Sequence, residues 1–219
     1  MRKNEISVVL CSYNGAAYIK EQIDSILNQS YPVTELIIQD DGSTDGTWNL
    51  LTQYEMDPKV LIFRNEESLG FNANFTTAVM KAKGDYIACS DQDDIWKENK
   101  IEELVAHIDD NILLFHDSIL FKTDIQHPLG MKNLSNQNLN ELFLLMKPYI
   151  PGHQIFFSRK VLPGLARIIS LEPNVSFDTI IVLIARVMGK IGYLEKGLVY
   201  WRRHPKACTY IESPKKIGK

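Results

Sequence analysis

Two carboxylates one residue apart, Asp91 and Asp93, stand out in the run Asp-Gln-Asp-Asp over residues 91–94. In a turn after a strand, such a pair can share one hard divalent cation, because Mg²⁺ and Mn²⁺ prefer oxygen ligands and commonly bind between carboxylates and substrate phosphates. The cation would offset the charge that develops on a departing diphosphate. The alternative is an acidic turn that caps the next helix, since Asp is favourable at helix N-termini. These four residues alone leave both interpretations open.

Two further polar turns have residue types that suit a nucleotide. Residues 40–43, Asp-Asp-Gly-Ser, form a second acidic turn, which could cap a helix or accept the imino N–H of a pyrimidine base. Residues 12–15, Ser-Tyr-Asn-Gly, include Tyr13, whose ring could pack against a base, although buried tyrosines more often belong to a core. Nothing basic surrounds the acidic turns, so a metal or a base donor is their natural partner.

The elements that must position these turns are strands that alternate with helices. Short apolar runs predict buried strands over residues 6–11, 36–38, 60–63 and 86–89. Apolar residues spaced by three and four positions predict helices between and after them. This alternation indicates βαβ units and a mostly parallel sheet, whose ligands bind beyond the carboxyl ends of the strands. We therefore expect the three polar turns to converge on one edge of the sheet.

The second half of the chain is less regular. Strands are predicted over residues 112–115, 154–157 and 192–200, and helices over residues 161–169 and from Asp178 onward. Residues 122–140 are polar and are predicted to be a surface excursion. This break suggests a donor half over about residues 1–121 and an acceptor half over about residues 122–219, without a linker that would make them independent. The predicted fold is a single α/β domain over residues 1–219.

Composition excludes several classes of protein. A net charge of −3 argues against a nucleic-acid partner, since such proteins present a basic face to phosphates. The three cysteines, Cys11, Cys89 and Cys208, have no metal-ligand spacing and fit a reducing, cytoplasmic compartment. No stretch reaches the ~18 apolar residues that a spanning helix needs. Peripheral attachment at the inner face of a membrane stays open.

Several ordered motifs resemble a known enzyme family. The runs Val-Val-Leu-Cys-Ser-Tyr-Asn-Gly at 8–15, Ser-Ile-Leu-Asn-Gln at 25–29 and Glu-Leu-Ile-Ile-Gln-Asp-Asp-Gly-Ser-Thr-Asp at 35–45 resemble the family-two inverting glycosyltransferases with the GT-A fold. Residues 72–75 and 84–94 continue the resemblance in order. The form Ser-Asp-Gln-Asp-Asp-Ile-Trp at 90–96 looks like the bacterial rhamnosyltransferase-like branch that builds surface polysaccharides. The match covers about the first half of the chain. It implies a Rossmann-like, mixed and mostly parallel sheet flanked by helices.

The resemblance implies roles for individual residues of the first half. Positions expected to bind the nucleotide sugar, with Asp41 on the base, are Ser12, Tyr13, Asn14, Asp40 and Asp41. Asp93 would ligate the metal, and Asp91 would lie near the ribose and the metal. Trp96 would line the pocket where donor and acceptor meet.

The second half resembles the family more loosely. Gly152 and His153 resemble a small-residue turn beside the acceptor, and Asp178 resembles the acidic motif that supplies the catalytic base. Single displacement needs such a base opposite the leaving diphosphate, although Asp178 could also merely cap its helix. Thr179 and Ile180 follow it where branch members often have two aromatic residues. Residues 200–204, Tyr-Trp-Arg-Arg-His, resemble a Tyr-Arg-x-His segment with Trp in place of the Tyr. Arg202 and His204 would then face the diphosphate or the metal.

These observations predict a glycosyltransferase that uses Mn²⁺ or Mg²⁺. It would move a sugar, such as rhamnose, galactose or glucose, from a UDP- or dTDP-linked donor to a glycan or lipid-linked acceptor during bacterial cell-surface polysaccharide synthesis. One alternative is a sugar nucleotidyltransferase, but residues 14–18 lack the basic residues that would hold a triphosphate. The other alternative is a non-catalytic nucleotide-sugar-binding protein, which would have lost the base.

Overall fold

A computed structural model describes residues 3–132, 150–172, 174–205 and 207, and its first part alternates strands with helices as predicted. The strands, all parallel, are β1 (Ile6–Ser12), β2 (Glu35–Asp40), β3 (Val60–Arg64) and β4 (Tyr86–Ser90). The helices are α1 (Ile19–Leu27), α2 (Thr47–Leu51) and α3 (Phe71–Val79). The three polar turns therefore follow β1, β2 and β4.

The second part adds strands on the other side of β4. They are β5 (Ile95–Trp96), β6 (Asn111–Phe121), β7 (Gly130–Lys132), β8 (Ile155–Ser158) and β9 (Lys190–Arg202). The accompanying helices are α4 (Lys100–His107), α5 (Leu162–Ile169) and α6 (Phe177–Met188). Within the described ranges, no helix is long and apolar enough to cross a bilayer.

All these strands form one mixed sheet in the order β3-β2-β1-β4-β8-β6-β9-β5, with β7 paired to β6. The antiparallel strand β8 joins the parallel strands to the second part, and β6 then pairs in parallel with β9. The predicted α/β class with a mixed sheet flanked by helices is confirmed. Because β6 lies between β8 and β9, the donor and acceptor halves share one sheet, and their division near residue 122 stays a prediction about roles.

The two faces of the sheet carry separate apolar cores. Side chains alternate along β1, so that Ile6, Val8 and Leu10 face one way and Val9 and Cys11 the other. The first group packs with α1, α2 and α4, and the second with α3, α5 and α6. Covering both faces fixes the sheet and so holds the turns at its edge in place.

Two strands are longer than their apolar patterns predict. β6 has 11 residues and includes His116, Asp117 and Ser118, which are fully buried although polar. Tertiary hydrogen bonds stabilise two of them, from Tyr193 Oη to Asp117 at 2.7 Å and between Ser118 Oγ and His153 Nε2 at 3.0 Å. β9 likewise extends beyond residues 192–200 at both ends. Within the predicted surface excursion, residues 130–132 form β7, and residues 133–140 lie outside the described part of the chain.

Candidate active site

A cleft of about 570 Å³ opens where the polar turns after β1, β2 and β4 meet the N-terminal end of α6. Ser12 and Tyr13 line it from the first turn, Asp41 from the second, and Asp91 and Asp93 from the third. The turns meet because the carboxyl ends of neighbouring parallel strands share one edge of the sheet. The topology thus brings these sequence-predicted residues together.

The first turn is tied to both of the others. The Gln92 side chain accepts the Tyr13 N–H at 2.9 Å and donates to the Tyr13 carbonyl at 3.0 Å. Gly15 is needed beside it, because a Cβ atom there would overlap the Gln92 side chain. Asn14, predicted to bind the nucleotide sugar, does not line the cleft. Its Oδ1 instead accepts the Thr44 N–H at 2.8 Å, which links the first turn to the second.

Asp40, also predicted to bind the nucleotide sugar, does not line the cleft. It belongs to the hydrogen-bond network that joins the first turn to the second. It is fully buried, and its carboxylate accepts hydrogen bonds from Ser12 Oγ at 2.9 Å and from the Ser43 N–H at 3.0 Å. Arg64 Nε lies 3.5 Å away and contributes opposite charge. The carboxylate is therefore satisfied by the protein, and it positions Ser12.

Asp41 reaches the cleft, where a short loop over residues 65–70 surrounds its carboxylate. Both oxygens accept hydrogen bonds, from Asn65 Nδ2 and Ser68 Oγ and from the backbone N–H groups of Leu69 and Gly70 at 2.7–2.9 Å. Burial alone would raise the pKa of Asp41, but these donors outweigh it and lower the pKa. Asp41 is thus an ionised acceptor, and a base N–H would share or replace one loop bond.

The carboxylates of the acidic turn after β4 lie partly in the cleft and partly in the core. Asp91 and Asp93 line the cleft, whereas Asp94 is fully buried and accepts the Arg202 N–H at 3.0 Å. Burial, reinforced by the charge of Asp91, raises the pKa of Asp93, and the His204 imidazole 2.7 Å away opposes the rise. Carboxylates crowded in this way are stabilised by a positive charge among them.

The residues present fit a hard divalent cation. One ligand atom each from Asp91, Asp94 and His153 lie within 4.8 Å of one another. Asp93 and His204 form a second carboxylate–imidazole pair. Oδ2 of Asp94 is buried without a hydrogen-bond partner in the described part of the chain, so it has lone pairs to offer. Such oxygen and imidazole donors suit Mn²⁺, and the carboxylates suit Mg²⁺. His153, predicted for the acceptor pocket, thereby joins the predicted ligand set.

Arg202 and Trp96 support the acidic turn from behind and do not line the cleft. Arg202, predicted to face the diphosphate, donates from Nε to the Asp93 carbonyl at 2.8 Å and pairs with Glu21 at 2.5 Å. Its guanidinium also packs over the Tyr18 ring. Trp96, predicted to line the pocket, is only 3% exposed, because the pairing of β5 with β9 holds it in the core beside α1 and α4.

A buried lysine that sequence reasoning missed lies next to this turn. The Lys100 ammonium donates to the His153 carbonyl at 2.9 Å and lies 3.7 Å from the Trp96 ring centroid. Burial lowers the pKa of Lys100 to about 7, although the charge of Asp94 opposes the fall. Lys100 thereby holds the turn that carries His153. A lysine at the start of an amphipathic helix is typical of a solvated position, so the sequence offered no signal.

Asp178 lies in the first turn of α6, and it lines the same cleft. Burial raises the pKa of Asp178, hydrogen bonds from Ser176 and the Thr179 N–H oppose the rise, and the charge of Asp91 adds to it. A carboxylate with a raised pKa is a stronger proton acceptor than a solvated one, as a general base requires. Ile180, one of the two departures from the family motif, is buried in the core and leaves Asp178 in the cleft.

The Asn72 side chain on α3 clamps the segment that leads into Asp178. Its Oδ1 accepts the Phe177 N–H at 2.6 Å, and its Nδ2 donates to the Val175 carbonyl at 2.9 Å. One amide thus fixes both sides of Ser176, more than 100 residues away in the sequence. Asn72 lies in a run that resembles the family, but its contact with this segment could not be predicted.

If Asp178 is the base, Asn72→Ala should lower turnover by about ten- to hundredfold, because displacing a catalytic group by ~1 Å can cost that much. UDP affinity should change little, since Asn72 does not line the cleft. Steady-state kinetics and calorimetry would measure the two effects. Asn72→Asp keeps the acceptor for Phe177 but places a carboxylate oxygen against the Val175 carbonyl, so it should also lower turnover. Equal loss of UDP affinity and turnover would contradict this positioning role.

The remaining wall of the cleft comes from Gly152, His153, Trp201 and an aromatic cluster. A Cβ atom at Gly152 would lie 2.9 Å from Phe177 Cζ, so a larger residue would displace that ring. Phe177 stacks on Phe75 with centroids 4.6 Å apart. The predicted small-residue turn thus allows the turn with His153 to approach the start of α6, which brings the metal-ligand candidates and Asp178 into one cleft.

The sequence of this chain matches a known protein family. The family model described as Glycosyl transferase family 2 matches residues 7–162. The chain belongs to glycosyltransferase family 2. A relative in Bacillus subtilis, the glycosyltransferase TuaG, is named for teichuronic acid biosynthesis. It is 42% identical over 99 residues, which cover 45% of this chain and 39% of TuaG.

Two solved structures resemble this family-two chain in fold. One is S. aureus TarS 1–349 in complex with UDP, with a TM-score of 0.72 and 20% identity over 92% of this chain and 61% of TarS 1–349. The other is the mannosyltransferase PcManGT from Pyrobaculum calidifontis with GDP-Man and Mn²⁺, with a TM-score of 0.66 and 19% identity. This match covers 94% of this chain and 59% of PcManGT. The chain therefore has the GT-A fold, and it spans less than two thirds of each of these proteins.

Proposed function

We propose that the chain transfers a sugar from a nucleoside diphosphate to an acceptor hydroxyl, with inversion at the anomeric carbon and with a divalent cation. The observation that carries this proposal is the composition of one cleft. It combines the carboxylate pair Asp91 and Asp93, beside two imidazoles, with the separate buried carboxylate of Asp178. A transferase needs both a cation site for the leaving diphosphate and a base for the acceptor.

In the proposed reaction, Tyr13 and Asp41 hold the nucleoside. Asp91, Asp93 and Asp94, together with His153 and His204, include the groups that would hold Mn²⁺ or Mg²⁺, whose charge would offset that of the departing diphosphate. Asp178 accepts the proton of the acceptor hydroxyl. That oxygen forms the new bond to the anomeric carbon as the bond to the diphosphate oxygen breaks. A single displacement of this kind inverts the anomeric configuration.

The proposed substrates follow from the motifs and from the relatives. The donor is UDP- or dTDP-linked and carries rhamnose, galactose or glucose, and the form of residues 90–96 favours the rhamnosyltransferase-like branch. TarS binds UDP, and TuaG is named for teichuronic acid biosynthesis, which supports a glycan or lipid-linked acceptor in bacterial surface polysaccharide synthesis. We place the reaction in the cytoplasm, at or near the inner face of the membrane.

A thermal-shift screen tests this proposal, because a ligand that binds only the folded state raises its apparent stability. UDP and dTDP should raise the melting temperature more with Mn²⁺ than without it, and GDP should do so less. UDP-glucose, UDP-galactose and dTDP-rhamnose would then rank the donors. Absence of any nucleotide-dependent shift would overturn the proposal.

Asp41→Asn is expected to weaken UDP binding by about ten- to hundredfold, because it replaces a charged acceptor of a base N–H. Calorimetry with UDP measures this effect. Asn65→Ala is the control, since Asn65 does not line the cleft and the change removes one loop bond to the carboxylate and keeps the charge. If Asn65→Ala weakened UDP binding as much as Asp41→Asn, the carboxylate would order the loop and make no base contact.

A further inference from the structure

Two cations pack against one tryptophan at the edge of the cleft. Trp201, at the end of β9, lines the cleft, and its ring lies 5.0 Å from that of His153. Lys132 Nζ lies 4.7 Å and Arg203 Cζ 4.6 Å from the Trp201 ring centroid. Cation–π contacts attract each charge to the ring, but they do nothing to reduce repulsion between the two charges.

Lys132 has no anionic partner in the described part of the chain. No hydrogen bond or ion pair there involves its ammonium, which is half-buried at the end of β7. Burial, followed by repulsion from Arg203, lowers the pKa of Lys132. An anion beside Lys132 and Arg203 would offset both the burial of the Lys132 charge and the repulsion between the two cations. The three N–H donors of the Lys132 ammonium suit an anion with several oxygen acceptors, as in a phosphate.

The place of this pair in the sheet separates it from the nucleoside turns. β9 occupies one edge of β6, so β7 pairs with the same edge as β8 and lies two strands from β1 and three from β2. At about 4.8 Å per strand, that is roughly 10 Å and 14 Å from the strands that carry Tyr13 and Asp41. Trp201 instead contacts His153, beside Gly152 and the start of α6. The cations therefore flank the turn with Gly152 and His153, which the sequence predicts to lie beside the acceptor and which also carries a candidate metal ligand.

We propose that Lys132, Arg203 and Trp201 form a binding site for a phosphate or diphosphate group of the acceptor. The assignment to the acceptor rests on the proposed function, whereas the anion site itself does not. The site selects acceptors that carry a phosphate next to the sugar that receives the new unit. A different explanation is that Lys132 only protects the exposed strand β7 from pairing with other chains, as edge lysines do.

Fluorine NMR of protein labelled with 5-fluorotryptophan tests the site without relying on transfer. The chain has three tryptophans, and a Trp201→Phe variant assigns the relevant resonance. Inorganic pyrophosphate is titrated with EDTA present, both alone and at saturating UDP. We expect it to shift the Trp201 resonance and to leave those of Trp48 and Trp96 unchanged, in both titrations.

Lys132→Gln should raise the Kd of pyrophosphate by about tenfold or more, because it removes a charged donor and keeps most of the side chain. Lys190→Gln is the matched control, since Lys190 pairs with Asp110 at the surface and should leave the Kd unchanged. Failure to shift Trp201, or an equal shift in Lys132→Gln, would overturn the site. Loss of the shift at saturating UDP would assign the anion to the donor diphosphate. Calorimetry of UDP separately tests the proposed function.

Discussion

Asp178→Asn is expected to lower turnover by about 10²–10⁴-fold while donor and metal binding stay nearly unchanged. Asn is almost isosteric with Asp and also suits a helix N-terminus, so the fold should survive. The Thr179 N–H, now 2.7 Å from Asp178 Oδ1, can still bond to the amide oxygen. The measurement is the rate at saturating donor and acceptor, together with calorimetry of UDP.

The pH dependence of the rate gives a second test of Asp178. Burial raises the pKa of Asp178, and a carboxylate acts as a base only when it is ionised. Activity is therefore present above this raised pKa and is lost as the pH falls through it, at a pH higher than for an ordinary Asp. That acidic limb should be absent from the residual activity of Asp178→Asn.

A rate within about threefold of the parent protein would mean that Asp178 is not the base, since general bases contribute far more. Asp117 is the next candidate, because it too follows a predicted strand. It is fully buried, accepts a hydrogen bond from Tyr193 and does not line the cleft. The structure therefore leaves Asp178 as the better candidate, and a normal rate would favour the non-catalytic alternative.

Asp93→Ala is expected to abolish transfer, with a loss of at least about a thousandfold, since a catalytic cation supplies several kcal/mol and 1.4 kcal/mol is tenfold. The variant should also lose the Mn²⁺ dependence of UDP binding. His204, 2.7 Å away, would lose its carboxylate partner, which weakens the site further. Transfer assays and calorimetry across Mn²⁺ concentrations measure both effects.

Asp110→Ala is the control for Asp93→Ala, because Asp110 is a surface carboxylate paired with Lys190. It should keep full activity and the same Mn²⁺ dependence. Circular dichroism would confirm that Asp93→Ala is folded. Full activity of Asp93→Ala in Mn²⁺, or of the parent protein in excess chelator, would refute a cation-dependent reaction at this site.

Local patterns predicted the first half of the fold well, because its strands and helices bury apolar residues at regular spacing. The prediction was less complete where burial is polar. His116, Asp117 and Ser118 continue β6 inside the protein, yet their types are typical of a surface. Partners distant in sequence, Tyr193 for Asp117 and His153 for Ser118, make the burial of those two side chains favourable, and a single sequence does not show those partners.

The sequence predicted which residues line the cleft where a turn directly follows a strand. It predicted them less well where the direction of a side chain depends on tertiary packing. Asp41, Asp91 and Asp93 line the cleft because strand topology places their turns there. Trp96 and Arg202 are near the acidic turn but point into the core or behind the turn. Neighbouring residues in a motif therefore share a location without sharing a role.

The support of the acidic turn by β9 has a consequence for biosynthesis. β5, immediately after the turn, pairs with β9, and Arg202 on β9 bonds to both Asp93 and Asp94. A growing chain folds from its N-terminal side at synthesis rates of about 5–20 residues per second. Its parallel strands can pair several seconds before residues 199–204 exist. A nascent chain would thus form the turns after β1 and β2 before the acidic turn after β4 gains its support from β9, so the cleft would be completed last.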